Sequence, residues 1–305
     1  MLKDRFLWID GKFLAFDRAW VHIFSHSFGR GSAVFEVISV HQTDLGVAVF
    51  RLEDHLDRLK HGAEALFMEL PYSKKELLKV VHKTVEKNKV KNGLVKIIAY
   101  YPGIAFEVIP KDSRVSIAIG AFEIGRDISL SKLGENRFAK AGISRWRKLH
   151  PLTVPVFAKA SGNYLNPMLA KLEVKSRGFS APVLLDTKGY LAEGATESIF
   201  LVKEAKLFTP LLDNILPSIT RMSVIELAED LEIPIKEKRL KQEDLLNCDE
   251  AFFSSTTCKL WPINQIEKRK LKAPGPLSQR LKDYFDQVLS GRIKKYHKWL
   301  SMVLE

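Results

Sequence analysis

The stretch that most limits how this chain can fold lies at its middle, from Pro155 to Pro167, and reads P-V-F-A-K-A-S-G-N-Y-L-N-P. Lys159 follows Val156, Phe157 and Ala158 and precedes Ala160, Ser161 and Gly162, so small or apolar residues flank it on both sides. A surface lysine gains little from such company, and a buried amine is the expectation. Burial penalises an ammonium and lowers its pKa, which frees the amine to act as a nucleophile or as a Schiff-base partner. The bland alternative is a loop lysine in a lysine-rich protein. Pro167 is tolerated only in the first turn of a helix, so the helix running on through M-L-A-K-L-E-V-K-S-R starts at about Asn163 to Asn166. Lys159 therefore stands just ahead of a helix.

The chain before this stretch alternates strand and helix patterns. F-L-W-I at 6–9, the Asp10-Gly11 turn and K-F-L-A at 12–15 read as a hairpin. The β-branched run from Ala33 to His41 is a half-buried strand, with Val47 to Arg51 as its partner. Leu52, Leu56, Leu59, Ala63 and Leu66 then take up helical spacing, and a second amphipathic helix covers Glu76 to Asn88. Strands at Leu94–Tyr101 and Arg114–Phe122 complete an α+β domain over residues 1–122. The polar, aperiodic segment at 125–136 marks a crossover, with the linker placed at 123–130 and a larger domain at 131–305. That domain holds strand patterns at 138–145, 183–186, 198–203 and 250–254, a helix after Pro217, and a last helix from Pro276 to Ser290. In the tail, Ile293, Tyr296, Trp299, Leu300 and Val303 recur at helical spacing, a stripe expected to pack back on the protein.

Composition narrows the function classes. A chain of 305 residues with 46% apolar content can bury cores for two ordinary domains. Its net charge of +12 raises a nucleic-acid reading, which predicts a colourless protein with salt-dependent DNA binding. The basic residues are spread among acidic ones, as in K-K-E-L-L-K and E-K-R-K-L-K, and read as solvated faces that draw in anionic substrates. No nucleic-acid partner is expected. The charged start M-L-K-D-R and the lack of any apolar run near ~18 residues argue against a signal peptide or membrane span. Cys248 and Cys258 form no C-x-x-C and suit a reducing cytoplasm. His22 and His26 have metal-ligand spacing but no third ligand, so they are read as structural and no metal is expected. Gly29-Arg30-Gly31 lacks a strand-turn-helix setting and reads as a backbone turn near a substrate pocket.

Four segments in order, A-K-A-S-G-N-Y-L at 158–165, Y-L-A-E-G-A-T-E-S-I-F-L at 190–201, L-P-S-I-T-R at 216–221 and F-F-S-S-T-T at 252–257, resemble the class IV aminotransferases. These are the pyridoxal phosphate enzymes of fold type IV, a group that contains branched-chain aminotransferases, D-amino acid aminotransferases and aminodeoxychorismate lyases. The resemblance is closest to the branched-chain enzymes, through A-K-A-S-G-N-Y, S-R-W-R-K-L-H-P-L-T-V-P and V-H-I-F-S-H-S-F. It implies an α/β (α+β) fold of two domains like that of D-amino acid aminotransferase, and pyridoxal 5'-phosphate as cofactor. It also implies ping-pong transfer between an amino acid and a 2-oxo acid, and at least a homodimer, because a neighbouring subunit completes the site.

The resemblance assigns roles residue by residue. Lys159 would carry the cofactor and, once displaced, shuttle a proton; Tyr164 would stand near its phenolic oxygen. Glu193 would face the pyridine nitrogen, with Glu197 as the competing acid in the same segment. Arg51, in F-R-L-E-D-H-L-D-R-L, would hold the phosphate through its forked donors, the alternative being an ion pair with Asp54. Asp54, His55 and Arg58 are read as structural. Ser218, Ile219 and Thr220 form a phosphate cradle at a helix start, with Ser218 where the family usually has glycine. Ser255 and Thr256 would add phosphate contacts, and the backbone of Thr256 and Thr257 would take the substrate carboxylate.

The substrate side departs from the branched-chain pattern at Arg30, Val37, Ser39, Leu94 and Lys96. Phe35, Val37 and Leu94 would still line an apolar side, while Arg30 and Lys96 add cations suited to a dicarboxylate or polar acid. The E-V after Phe35 is similar to the D-amino acid enzymes and L-V-K at 94–96 to the lyase, so both stand as alternatives. A transaminase converts to its pyridoxamine form with an amino acid alone, whereas a lyase does not.

Overall fold

A computed structural model describes residues 2–129 and 137–303. The end of the expected linker and most of the polar crossover, at 130–136, lie outside the described residues. The chain gathers into two compact units, Met1–Leu130 with Ala158–Gly162 and Gln287–Glu305, and Ser131–Phe157 with Asn163–Asp286.

The first unit is built on strands β1 (Phe6–Ile9), β2 (Lys12–Ala15), β3 (Val34–Thr43), β4 (Gly46–Phe50), β5 (Gly93–Tyr100) and β6 (Ser116–Glu123), joined by a tail strand, β15 (Leu300–Met302). They form one sheet in the order β15-β4-β3-β5-β6-β1-β2. Alternation decides its faces: Val34, Glu36, Ile38 and Val40 of β3 are buried, while Phe35 and Val37 between them are half-buried. A short helix, α1 (His26–Arg30), leads toward β3, and the buried face meets α2 (Leu52–Glu64) and α3 (Lys74–Lys87), whose Leu52, Leu56, Leu59, Leu77, Val81 and Val85 share its core. A capping box starts α3, in which Ser73 Oγ accepts the Glu76 N–H and the Glu76 carboxylate accepts the Ser73 N–H.

The tail corrects two expectations. Its apolar stripe does not wind into a helix with the second domain. Residues Lys294–Trp299 make a 3-10 turn, and Leu300–Met302 then run antiparallel to β4, with Leu300 opposite Phe50. The open edge of β4 supplies the reason, because its unpaired backbone groups accept a strand more readily than a helix. Tyr296 and Trp299, three apart, still fall on one side of the 3-10 turn and are buried.

The second unit carries β7 (Ala139–Arg147), β8 (Ala181–Leu185), β9 (Ser198–Lys203), β10 (Lys206–Thr209), β11 (Ile235–Glu237), β12 (Glu250–Ser255), β13 (Lys259–Ile266) and β14 (Arg269–Lys270). The order is β11-β10-β9-β12-β13-β7-β8, with β14 paired to β13. Every residue of β12 and all but the last of β9 are buried, as in a sheet covered on both faces. Phe200 and Phe252 stack across the two strands with ring centroids 5.0 Å apart. The helices are α4 (Leu165–Ser176), α5 (Ile219–Asp230), α6 (Gln242–Asn247) and α7 (Pro276–Leu289). A 3-10 turn at Ser161–Tyr164 precedes α4 and puts Pro167 in the helix's first turn. Among the described residues no helix is long and apolar enough to cross a membrane.

Candidate functional site

In the first unit, the segment bearing Lys159 is laced to the start of β3. The Phe35 N–H donates to the Lys159 carbonyl at 3.1 Å, the Ser161 N–H to the Ala33 carbonyl at 2.7 Å, and the Gly162 N–H to the Gly31 carbonyl at 2.9 Å. Gly31 makes this approach possible. It is left-handed, with φ 66°, and a Cβ there would lie 2.9 Å from the Gly162 Cα. Lys159 is half-buried and not enclosed as expected, because its side chain lies out over the sheet face and not in the core. Its ammonium stands 4.9 Å from the centre of the Phe35 ring, and that of Lys96 stands 5.5 Å from the same ring. The register, with Val37 opposite Lys96, sets Phe35, Val37 and Lys96 on one face. The structure thus brings Lys159 together with three of the proposed substrate residues. Arg30 is not among them, since it is exposed and donates to the Phe106 carbonyl at 3.1 Å.

Arg51 is engaged within the first unit. It forms the left-handed N-cap of α2, pairs through Nε with Asp54 at 2.6 Å, and lies 4.4 Å over the Trp299 ring. The ion pair with Asp54, weighed as the alternative, is the arrangement found. Arg58 instead sits one helical face inward, with Nε and Nη2 on the two oxygens of Glu36 at 2.7 and 2.6 Å. His55 Nδ1 meets the same carboxylate at 2.7 Å.

Burial pushes the Glu36 carboxyl up, but the charges and hydrogen bonds of Arg58 and His55 outweigh it and hold it at about 2. Burial likewise pushes the His55 imidazole down against the pull of Glu36, and the charges of Arg58 and Lys159 add to the lowering. At neutral pH His55 is therefore neutral, and the full charge facing Glu36 is that of Arg58. Gly62 continues this face of α2, where a Cβ would lie 3.7 Å from the Lys159 backbone nitrogen. The helix face that meets the lysine segment thus carries His55, Arg58 and Gly62.

In the second unit, the Lys148 ammonium donates to the Glu193 carboxylate, and both residues are buried. The end of β8 brings them together. The Lys148 N–H donates to the Leu185 carbonyl at 2.8 Å, while the Leu184 N–H donates to the Glu193 carbonyl at 2.8 Å. The Asp186 side chain turns the intervening chain by accepting the Lys188 and Tyr190 N–H groups. Glu197 is engaged in its own turn, accepting the Thr196 N–H and hydroxyl, each at 2.9 Å. Glu193 carries the buried cation Lys148. Tyr164 is half-buried at the N-cap of α4.

Ser218 caps α5, its Oγ accepting the Arg221 N–H at 3.2 Å. That leaves the Ile219 and Thr220 N–H groups outside the helix's own ladder, at its positive end. Arg221 fastens this helix start to the end of β10, donating to the Pro210 carbonyl at 2.7 Å and pairing with Glu237. The turn after β12 carries Ser255, Thr256 and Thr257, with Ser255 Oγ 3.2 Å from Thr257 Oγ1. Of the two histidines, His26 is tied into the unit: its Nδ1 lies 2.7 Å from Ser32 Oγ, and its Nε2 lies 2.8 Å from the Val108 carbonyl.

Glu36 and Lys148 had gained no role from sequence. A lone acid inside the apolar run A-V-F-E-V-I-S-V was a usable signal for Glu36. Nothing local marked Lys148 within R-W-R-K-L, where three of five residues are basic.

A profile described as "Amino-transferase class IV" matches residues 33–266. The chain is 31% identical over 304 residues to the branched-chain-amino-acid aminotransferase of Pseudomonas aeruginosa, covering 99% of this chain and 98% of that one. Its structure is similar to the branched-chain aminotransferase of Thermoproteus uzoniensis with norvaline, at a TM-score of 0.93 and 34% identity over 98% of this chain and 99% of the other. It is also similar to the branched-chain amino acid aminotransferase of Thermobaculum terrenum in its PLP form, at a TM-score of 0.92 and 29% identity over 100% of both chains.

Proposed function

The chain belongs to the class IV aminotransferase family, and on that premise we propose that it is a branched-chain-type transaminase moving an amino group between an amino acid and a 2-oxo acid. The observation that carries the proposal is the Phe35 face, where an apolar ring and Val37 lie beside two amines, Lys159 and Lys96. An apolar side chain and a carboxylate both find complementary groups there.

Pyridoxal phosphate is the cofactor of this family's chemistry, supplying an aldehyde and an electron-accepting ring. The donor set fits it: an amine, a buried carboxylate held by a cation, a helix start with N–H groups, and a turn with hydroxyls. Lys159 would hold the aldehyde carbon and, when released, take the proton from the substrate α-carbon on Nζ. Glu193 would keep a proton on the ring nitrogen, and Lys148 orients the carboxylate for that contact from the other side. Tyr164 would donate to the phenolic oxygen. Ile219 and Thr220 would donate to phosphate, with Ser218 shaping the helix start and Ser255 and Thr256 adding hydroxyls. The phosphate arginine is better sought at Arg58 than at Arg51, since Arg58 shares the α2 face that meets the lysine segment. Lys96 would receive a second carboxylate when the amino acid is acidic.

An amino-donor panel on the holoenzyme tests this, read by loss of the cofactor's aldehyde absorbance with L- and D-enantiomers separately. L-leucine, L-isoleucine, L-valine and L-glutamate are expected to convert it. Conversion by D-amino acids alone, or by none, overturns the reading, as does borohydride labelling of a peptide lacking Lys159. A homodimer or larger assembly is expected and is measured by sedimentation equilibrium. The buried thiols of Cys248 and Cys258 support a reducing cytoplasmic setting.

A further inference from the structure

Lys259 combines two costly features that none of the roles in amino transfer requires. It opens β13 directly opposite Ser255 at the end of β12, so Thr256, Thr257 and Cys258 form the whole connection between the strands. Three-residue hairpin loops close through a left-handed residue, usually glycine. Lys259 takes that conformation with φ 52°. A side chain there is strained where glycine is not. The ammonium is also drawn out of water. Burial pushes it down to about 7, opposed by Cys258 beside it and by Asp286 of α7. Asp286 is itself paired with Lys282 at 2.6 Å.

The same ammonium folds back on its own turn and donates to the Thr256 carbonyl at 2.6 Å. A residue that is both backbone-strained and desolvated persists only where its surroundings insist on it, and such residues gather at functional sites. The geometry says what it accomplishes. A trans peptide is planar, with C=O and N–H pointing opposite ways. Gripping the Thr256 carbonyl therefore fixes the next peptide and aims the Thr257 N–H away from Lys259. A donor held on the carbonyl also polarises that peptide and strengthens its N–H as a donor. Ser255 Oγ, 3.2 Å from Thr257 Oγ1 and 3.0 Å from Cys258 Sγ, steadies the remainder of the turn.

We propose that Lys259 is a positioning residue, which holds the Thr256 carbonyl so that the Thr257 amide faces the substrate carboxylate. The proposal rests on the reading of this turn as the carboxylate site. A lysine that merely ties the hairpin together would leave ligand affinity untouched once the fold is intact.

The test titrates the holoenzyme with 4-methylvalerate, followed by the change in cofactor absorbance, in wild type, K259M, K259G and K259R. Glycine relieves the left-handed strain that methionine, like lysine, keeps, so K259G and K259M remove the amine on a relaxed and on an unchanged backbone. K259G and K259M are expected to bind 4-methylvalerate about tenfold more weakly, the size of one hydrogen bond. K259R should stay near wild type. The KM for the amino donor should rise with the loss of affinity while kcat changes less, and apo-enzyme should take up the cofactor as before. Wild-type affinity in K259G overturns the proposal, and so does an equal loss in K259R. Failure of the wild-type holoenzyme to bind 4-methylvalerate at all overturns the carboxylate reading of the turn together with this inference.

Discussion

Lys148 and Glu193 form an ion pair inside the second unit, with only 9% of either side chain exposed. Neither owes its place to the other's stretch of chain. Each is anchored by a backbone bond to adjacent residues of β8, Leu185 and Leu184.

Removing one partner of such a pair strands the other charge. Lys148→Met is expected to cost about 3–5 kcal/mol in urea unfolding. Lys148→Arg should restore most of it. The double variant with Glu193→Gln should be more stable than Lys148→Met alone, since no buried charge is left over. Additive losses across that cycle would contradict the pairing.

The Glu36 cluster predicts the direction of acid sensitivity. The Glu36 carboxyl is held at about 2, below its ordinary 4.5, so the unfolded chain binds its proton first as pH falls. Its contribution is complete above 4.5 and disappears as pH falls through about 2. His55, lowered from 6.5, acts in the same sense, because the unfolded chain takes up that proton at higher pH than the folded one. Glu36→Gln should lower stability at neutral pH by about 3–5 kcal/mol. It should also flatten the slope of unfolding free energy below pH 4.5, read from denaturant titrations at several pH values.

Gly31 sets the approach of the lysine segment to β3. Gly31→Ala would force a side chain into the left-handed region, at roughly 1–2 kcal/mol. It would also press on the Gly162 Cα from 2.9 Å. The expected outcome is a fall in kcat/KM larger than the fall in thermal midpoint explains, since the displaced backbone is that of Lys159. An unchanged kcat/KM in a folded variant would contradict it.

The tail is part of the first unit's core. Trp299 is 4% exposed, lies under the Arg51 guanidinium and meets the Phe50 ring edge-on with centroids 5.8 Å apart. Trp299→Ala should cost about 3–5 kcal/mol of stability by urea unfolding. A neutral result would show that the tail does not pack as described.

Much of the fold was legible because its signals are local. The β-branched run A-V-F-E-V-I-S-V, the helical spacing from Leu52 and the position of Pro167 each depend on a few adjacent residues. The tail misled for the same reason. Tyr296 and Trp299 satisfy helical spacing and 3-10 spacing alike, and only the open edge of β4 selects between helix and strand for the residues after them. Arg51 was equally ambiguous. An arginine before a helix can reach an anion or its own Asp54, and the presence of Trp299 beside it is a long-range fact.

By itself the sequence determined most of the strands and helices ahead of the tail, the family and the cofactor class, because periodicity and short motifs are carried by neighbours in the chain. Tertiary structure alone decided which charges meet: Lys148 with Glu193, Arg58 and His55 with Glu36, and Lys96 with Lys159 over Phe35. Those pairings join residues far apart in sequence, and a charge acts through distance and burial, neither of which is defined until the chain has folded.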